Sequence, residues 1–253
     1  MPDKKALILC SSDGLGFAIA KQLHSQGFSV TLTGRDSNKL SIAAGLISSF
    51  TETVLLDLDS ESSRENLYSH LNNHSGYDVL INNTGGPASK PILDIQPDEW
   101  EFYFKSMVLP IFEITNIVAA KMKSNQWGRI INLTSSGVVQ PIPNLGISNS
   151  LRSTIIAWAK TLSNELAPWG ITVNTLIPGR IDTARVKYLD DKVSNSLGKS
   201  VEEVKQASIG RIPVGRYGQP EELAGLVGYL TSENASYITG ALHRVDGGMI
   251  QSI

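Results

Sequence analysis

Residues 128–179 read GRIINLTSSGVVQPIPNLGISNSLRSTIIAWAKTLSNELAPWGITVNTLIPG. A β-rich run, Arg129–Leu133, ends in the polar cluster Thr134-Ser135-Ser136-Gly137. A loop broken by Pro and Gly follows, then a long amphipathic segment from near Ser148, then a second β-rich run, Ile171–Ile177, closing on Pro178-Gly179. Hydroxyls at the carboxyl end of a strand, facing the start of a helix, are where an open α/β sheet places its chemistry. Ser148 and Arg152 are four apart, so on a helix they share a face.

The same alternation runs outward in both directions. Ala6–Leu9 is continuously apolar and reads as a buried strand. Gly16–Gln26 is helical and stops at Gly27. Ser29–Thr33, Thr53–Leu58 and Val79–Asn83 read as strands, Lys39–Ser49 and Ser60–Asn73 as helices, with Asp36 and Ser37 as possible caps. Pro97–Met122 reads as one long helix kinked at Pro110. Ser200-Val201-Glu202-Glu203 is a capping box. Pro220–Leu230 reads as a helix and Tyr237–Val245 as the last strand. Strand–helix alternation at this spacing implies a single α/β domain, 1–253, with a parallel sheet covered on both faces and right-handed crossovers.

A chain of 253 residues, 41% hydrophobic, can bury one substantial core. The net charge of −2, without a basic stripe, argues against nucleic acid or an anionic membrane as partner. Cys10 is alone and the four histidines are scattered, so neither a disulfide framework nor a metal site is expected. The apolar run in MPDKKALILCSSDG is short for a signal peptide, and no other segment suggests a membrane span, so a cytoplasmic protein is expected. The four Asn-x-Ser/Thr matches then read as chance.

Between the first strand and the first helix lies Cys10-Ser11-Ser12-Asp13-Gly14-Leu15-Gly16. Glycines here let backbone approach a pyrophosphate, and the helix start supplies N–H donors. A tight strand–helix turn with no ligand is the other reading of so short a motif.

Taken together, Gly14-Leu15-Gly16, Asp57-Leu58, Asn82-Asn83 with Gly85-Gly86, Ile131–Ser136, Pro178-Gly179 with Thr183, Pro220-Glu221-Glu222 and Val245–Gly248 resemble the short-chain dehydrogenase/reductase family over the whole chain. Its 3-oxoacyl-carrier-protein reductases look similar in these segments. The resemblance implies a Rossmann-type, doubly wound, seven-stranded parallel sheet with helices on both faces. It also implies a nicotinamide cofactor, a small carbonyl or alcohol substrate, and a homotetramer. Carried over by position, Ser12, Gly14, Leu15 and Gly16 would meet the pyrophosphate. Asp57 and Leu58 would meet the adenine, and Asn83 and Gly85 the ribose. Pro178, Gly179, Ile181 and Thr183 would reach the nicotinamide end. Gly34 stands where NAD-preferring members carry an acid, and Arg35 suits a 2′-phosphate, which favours NADP over NAD. Asp13 argues mildly the other way. Cys10 replaces a turn glycine.

The active site departs from the family. Its Asn–Ser–Tyr–Lys set falls on Met107, Ser135, Ser148 and Arg152, so one of four is kept. A slipped alignment restores nothing: no tyrosine lies between Tyr103 and Tyr188 and no lysine between Lys123 and Lys160. The phenol, with a reference pKa of about 10, is replaced by a weaker and shorter acid. Arg152 keeps a charge that can still bind a ribose. Ser135, Ser148 and Arg152 remain the catalytic candidates, against helix capping for Ser148 and strand-end hydrogen bonding for Ser135. Met107 reads as packing. Residues 178–213 match the family's substrate lid and carry Asp182, Tyr188, Asp190 and Asp191; Tyr188 is the first candidate for a replacement acid. Three functions are compatible with this: an NADP-dependent reductase with a rebuilt proton path, a silent binder of dinucleotide or small ligand, and a scaffold that has lost the cofactor.

Overall fold

The computed structural model describes residues 4–253; the first three residues of the expected domain lie outside the described residues. Seven strands form one parallel sheet: β1 (Lys5–Ile8), β2 (Ser29–Gly34), β3 (Glu52–Leu55), β4 (Val79–Asn82), β5 (Gly128–Leu133), β6 (Ile171–Pro178) and β7 (Leu242–Val245). Their order is β3-β2-β1-β4-β5-β6-β7. The helices are α1 (Gly14–Ser25), α2 (Ser37–Ile47), α3 (Glu61–Asn73), α4 (Pro97–Met107), α5 (Leu109–Asn125), α6 (Gly146–Leu166), α7 (Ala184–Leu197), α8 (Val201–Ile209) and α9 (Pro220–Leu230).

Alternation along each strand divides the core in two. Ala6 and Ile8 point to one face with Val30, Leu32, Val79 and Ile81, where α1, α2 and α9 supply Ile19, Leu23, Leu40, Leu223 and Val227. Leu7, Leu9 and Leu80 point to the other face, under Leu67 and Leu71 of α3, Ile114 and Val118 of α5, and Leu166 of α6. All of these are buried, and each fully covered aliphatic side chain contributes about 1.5–3 kcal/mol.

β1 is paired with β2 on one side and β4 on the other. The winding direction therefore reverses at β1, and the crevice between the carboxyl ends of β1 and β4 is where such sheets bind ligands. The loops 10–16 and 83–87 open into it.

Several boundaries differ from the periodicity. The 97–125 stretch is two helices, broken at Val108 (φ −112°, ψ −60°), because Pro110 cannot donate to the preceding turn. Among the described residues, the Ser106 hydroxyl beside the break is buried without a partner. The whole stretch has the length and composition of a membrane span; neither helix alone has the roughly 20 residues a crossing needs. The last strand is only Leu242–Val245. Residues 237–241 instead form a loop tied down by the Val173 N–H donating to Thr239 Oγ1 (3.0 Å) and Asn174 Nδ2 donating to the Ile238 carbonyl (2.7 Å). Helix α7 was not expected, although Val186, Leu189, Val193 and Leu197 recur along it at helical spacing. Its Thr183 cap accepts from the Val186 N–H, which starts the helix on polar sequence. Helix α6 begins two residues before Ser148, with Leu145 at its cap position. Ser148 is therefore a first-turn residue and the capping reading is withdrawn.

Candidate active site

The first turn keeps the shape expected of a glycine although Cys10 occupies it. Cys10 lies in the left-handed region at φ 48°, a conformation that costs a side chain about 1–2 kcal/mol. Its backbone is held on both sides: the Cys10 N–H donates to Thr33 Oγ1 (3.0 Å) and its carbonyl accepts from Asn83 Nδ2 (3.1 Å). Asn83 thus bolts the second loop to the first. A Cβ on Gly16 would lie 2.5 Å from the Cys10 carbonyl oxygen, so this position accepts only glycine. Burial pushes the Cys10 thiol up to about 11.

Ser12 lies against Gly34, where a Cβ would come within 3.0 Å of the Ser12 hydroxyl. Arg35 is exposed beside it, at the carboxyl end of β2. Asp57 is half-buried and Leu58 buried; the Asp57 N–H donates to Ser63 Oγ and the Asp57 side chain accepts from the Asp59 N–H. Gly85 is exposed on the crevice loop, with open space where a Cβ would be. Gly14 (φ 57°) and Thr183 face each other across the crevice, 3.7 Å from an added Cβ to Thr183 Cγ2. Pro178 is buried at the end of β6, and Gly179 is held to glycine because a Cβ would meet Asp246 Cα at 2.7 Å. Ile181 is buried and bridged to Gly218.

The turn, the glycine-only contacts and the amino end of α1 fit a dinucleotide. One side chain stands against it. The Asp13 carboxylate accepts from the Gly14 N–H at 2.6 Å and so occupies the donor a pyrophosphate would use. Asp13 is exposed and can turn outward.

Beyond the turn, Arg152 organises the crevice wall. Its Nε donates to Ser148 Oγ (3.3 Å), one terminal nitrogen to the Leu133 carbonyl (3.2 Å), and the other to the Thr84 and Gly85 carbonyls (3.3 and 3.0 Å). One side chain thereby ties β5, the loop after β4 and α6 together. Burial pulls the guanidinium down to about 10, and nearby Arg185 adds to the fall; it remains charged at neutral pH. Ser148 is buried and accepts from a cation, so its own O–H is left free to donate. Ser135 is half-buried and accepts from the Gly137 N–H at 3.2 Å. Met107 is buried in an apolar cluster with Ile95, Val108, Ile111, Ile147 and Leu151, which bears out packing.

The acids in 178–213 divide by their partners. Asp190 is buried and bound by Arg180 (2.6 Å) and the Tyr217 hydroxyl (2.8 Å), which makes it an anchor for α7. Asp182 pairs with Lys187 at 3.4 Å. Tyr188 is 40% exposed, its ring flanked by Arg185 and Lys192. The residue missed from the sequence is Arg185. It sits in the first turn of α7 and donates to the Pro87 carbonyl at 2.7 Å, joining α7 to the loop after β4. A cation in a helix's first turn opposes the helix dipole; that placement was the available signal.

With this geometry established, comparison with known proteins decides the family. A family model described as Enoyl-(Acyl carrier protein) reductase matches residues 10–250. The chain belongs to the short-chain dehydrogenase/reductase family. Among its relatives, the 3-oxoacyl-[acyl-carrier-protein] reductase FabG of Aquifex aeolicus is 35% identical, with 97% of each chain covered. The NADPH-dependent reductase BacG of Bacillus subtilis is 31% identical, with 100% of each covered. Among solved structures, YwfH, an NADPH dependent reductase involved in bacilysin biosynthesis, superposes with a TM-score of 0.93 at 28% identity, over 99% of this chain and 100% of that one. L-sorbose reductase from Gluconobacter frateurii, complexed with NADPH and L-sorbose, gives 0.92 at 27% identity, over 99% and 98%.

Proposed function

We propose that this chain is an NADP-dependent oxidoreductase acting on a carbonyl/alcohol pair, with a proton path that does not run through a tyrosine. The observation carrying this is Arg152. It takes the lysine's position and keeps the crevice built, holding both the loop that would line the cofactor ribose and the Ser148 hydroxyl. Relatives named as NADPH-dependent reductases support NADP as the cofactor. Arg35 would meet its 2′-phosphate, Ser12, Gly14, Leu15 and Gly16 its pyrophosphate, Asp57 and Leu58 its adenine, and Asn83 and Gly85 its ribose. Pro178, Gly179, Ile181 and Thr183 would line the nicotinamide end. When bound, NADPH supplies the hydride.

The chain's own residues have the polar task. Ser148, its oxygen engaged by Arg152, donates a hydrogen bond to the substrate oxygen, and Ser135 orients the same group. An aliphatic hydroxyl does not deliver a proton as a phenol does, so the proton arrives from water through Ser148. On the same reading, residues 178–213 close over substrate as a lid within a single domain, and the enzyme is a cytoplasmic homotetramer.

The test follows loss of NADPH absorbance with a panel of ketones, aldehydes and 3-oxo esters. Turnover with at least one substrate is expected, falling about 10–100-fold in Ser148→Ala. Tight NADPH binding with no turnover across the panel would establish a silent binding protein instead. So would activity that emerges only in the triple change Met107→Asn, Ser148→Tyr, Arg152→Lys.

A further inference from the structure

Two guanidinium groups bracket the loop 84–87. Arg152 reaches it from α6, donating to the Thr84 and Gly85 carbonyls. Arg185 reaches it from α7, donating to the Pro87 carbonyl. A Cβ on the intervening Gly86 would lie 2.8 Å from an Arg185 terminal nitrogen, so Gly86 lets the second guanidinium come down onto the backbone. Among the described residues, neither arginine has a carboxylate within ion-pair distance. Burial lowers the pKa of both groups.

Two part-buried cations without a counter-ion are an expensive arrangement. Donor arithmetic separates their roles. A guanidinium carries five N–H donors. Arg152 uses four on Ser148 and three carbonyls. Among the described residues Arg185 uses one, on Pro87, which leaves most of its fork unspent. Arg185 also stands in the first turn of α7, where its charge opposes the helix dipole, so helix stability does not account for it. The Tyr188 ring covers one side of it, with the guanidinium carbon 5.4 Å from the ring centre.

We infer that Arg185 is the substrate-specificity residue of the proposed reductase, and that the substrate is a small carbonyl compound bearing a carboxylate. The carboxylate takes the free fork of Arg185 in a bidentate pair. Its carbonyl then reaches towards Ser148 on the neighbouring wall of the crevice. This rests on the reductase reading for the carbonyl, but the anion subsite is a property of Arg185 and is tested separately.

The experiment measures binding before turnover. NADPH binding is followed by quenching of tryptophan fluorescence in the wild type, Arg185→Gln and Arg185→Lys. Butanoate and butanamide are then titrated calorimetrically into the NADPH-saturated proteins, and acetoacetate and methyl acetoacetate are compared as substrates. Butanoate is expected to bind in preference to butanamide, and acetoacetate to be reduced in preference to its ester. Arg185→Gln should weaken butanoate by about 10–100-fold and remove the preference for acetoacetate. Arg185→Lys should retain part of both, which separates lost charge from lost fold. NADPH affinity should stay within about twofold, since no cofactor contact is removed. The inference is overturned if butanoate binds no better than butanamide, or if Arg185→Gln leaves its affinity intact. It is equally overturned if the substitution weakens NADPH instead, for then the anion is a cofactor phosphate. Butanoate binding that depends on Arg185, with no NADPH-dependent turnover, would uphold the subsite and remove the reductase reading.

Discussion

Gly16→Ala should damage the protein at one point. The added Cβ would stand 2.5 Å from the Cys10 carbonyl oxygen and 2.8 Å from Ser11 Cα. Ordinary C···O contacts begin near about 3.3 Å, so the backbone must give by roughly 0.8 Å. The obstacle cannot rotate away: the Cys10 carbonyl is held by Asn83, the Cys10 N–H by Thr33, and the Ser11 N–H donates to the Thr33 carbonyl at 2.8 Å. Overpacking of this kind costs about 1–3 kcal/mol, and replacing a helical glycine by alanine returns up to about 1 kcal/mol. Because the obstacle is pinned backbone, the upper part of that range, about 2–3 kcal/mol, applies, and the net loss is about 1–2 kcal/mol. With a urea m value near about 3 kcal/mol/M, the midpoint should fall by about 0.3–0.7 M. Gly45→Ala is the control, for it is exposed on α2 with nothing within 4 Å of an added Cβ. Its midpoint should rise by about 0.2–0.3 M. NADPH affinity, read by fluorescence titration, should fall at least about tenfold in Gly16→Ala and stay level in Gly45→Ala. A Gly16→Ala midpoint at or above the wild type, with normal NADPH affinity, would refute the claim that this turn is sterically closed.

Asp13→Asn removes the charge that caps the Gly14 N–H; NADPH dissociation constants should drop about 3–10-fold, and a rise would show that the carboxylate helps the site. Arg35→Asp should weaken NADPH by about 10–100-fold while leaving NADH nearly unchanged, and equal losses for both would remove the 2′-phosphate role. The Cys10 thiol, raised from 9.0 to about 11 by burial, should alkylate with iodoacetamide about 100-fold more slowly at pH 8 than in the urea-unfolded chain. Because the folded pKa is the higher one, its contribution to stability is complete below pH 9 and is lost as pH rises through 11, so alkaline urea midpoints should fall across that window. Arg180→Met leaves the Asp190 carboxylate buried with, among the described residues, the Tyr217 hydroxyl as its remaining partner; a stability loss of about 3 kcal/mol is expected by urea denaturation, and a loss under about 1 kcal/mol would contradict the anchoring role.

What was legible follows from what is local. Strands β1 and β4 announce themselves by continuous apolar runs, because a sheet covered on both faces needs apolar side chains on both. Helix α9, expected and found at Pro220–Leu230, has Pro, Glu221 and Glu222 in its first turn to mark its start. Helix α7, ARVKYLDDKVSNSL, was missed: Val186, Leu189, Val193 and Leu197 recur at helical spacing, but no acid or proline in the first turn marks its start. It is held by the Thr183 cap, by Arg185 donating to the Pro87 carbonyl, and by Asp190 pairing with Arg180 and Tyr217, which are 10 and 27 residues away. The end of the sheet was overcalled at 237–241, where Ile238 and Thr239 are tied to β6 by side-chain bonds and backbone bonds to β6 begin only at Gly240 and Ala241.

By itself the sequence determined the doubly wound sheet and the crevice at the turn 10–16. Those are matters of residue type at fixed positions along the chain. Only the tertiary structure decided how the wall of that crevice is held. Arg152 acts as a strut because Thr84, Gly85 and Leu133 present their carbonyls to it. Cys10 holds a glycine's backbone angle because Thr33 and Asn83 pin it there. Arg185 meets the loop at Pro87 across 98 residues of chain. Such pairings depend on which backbone groups the fold leaves facing inward, and no periodicity in the chain records that.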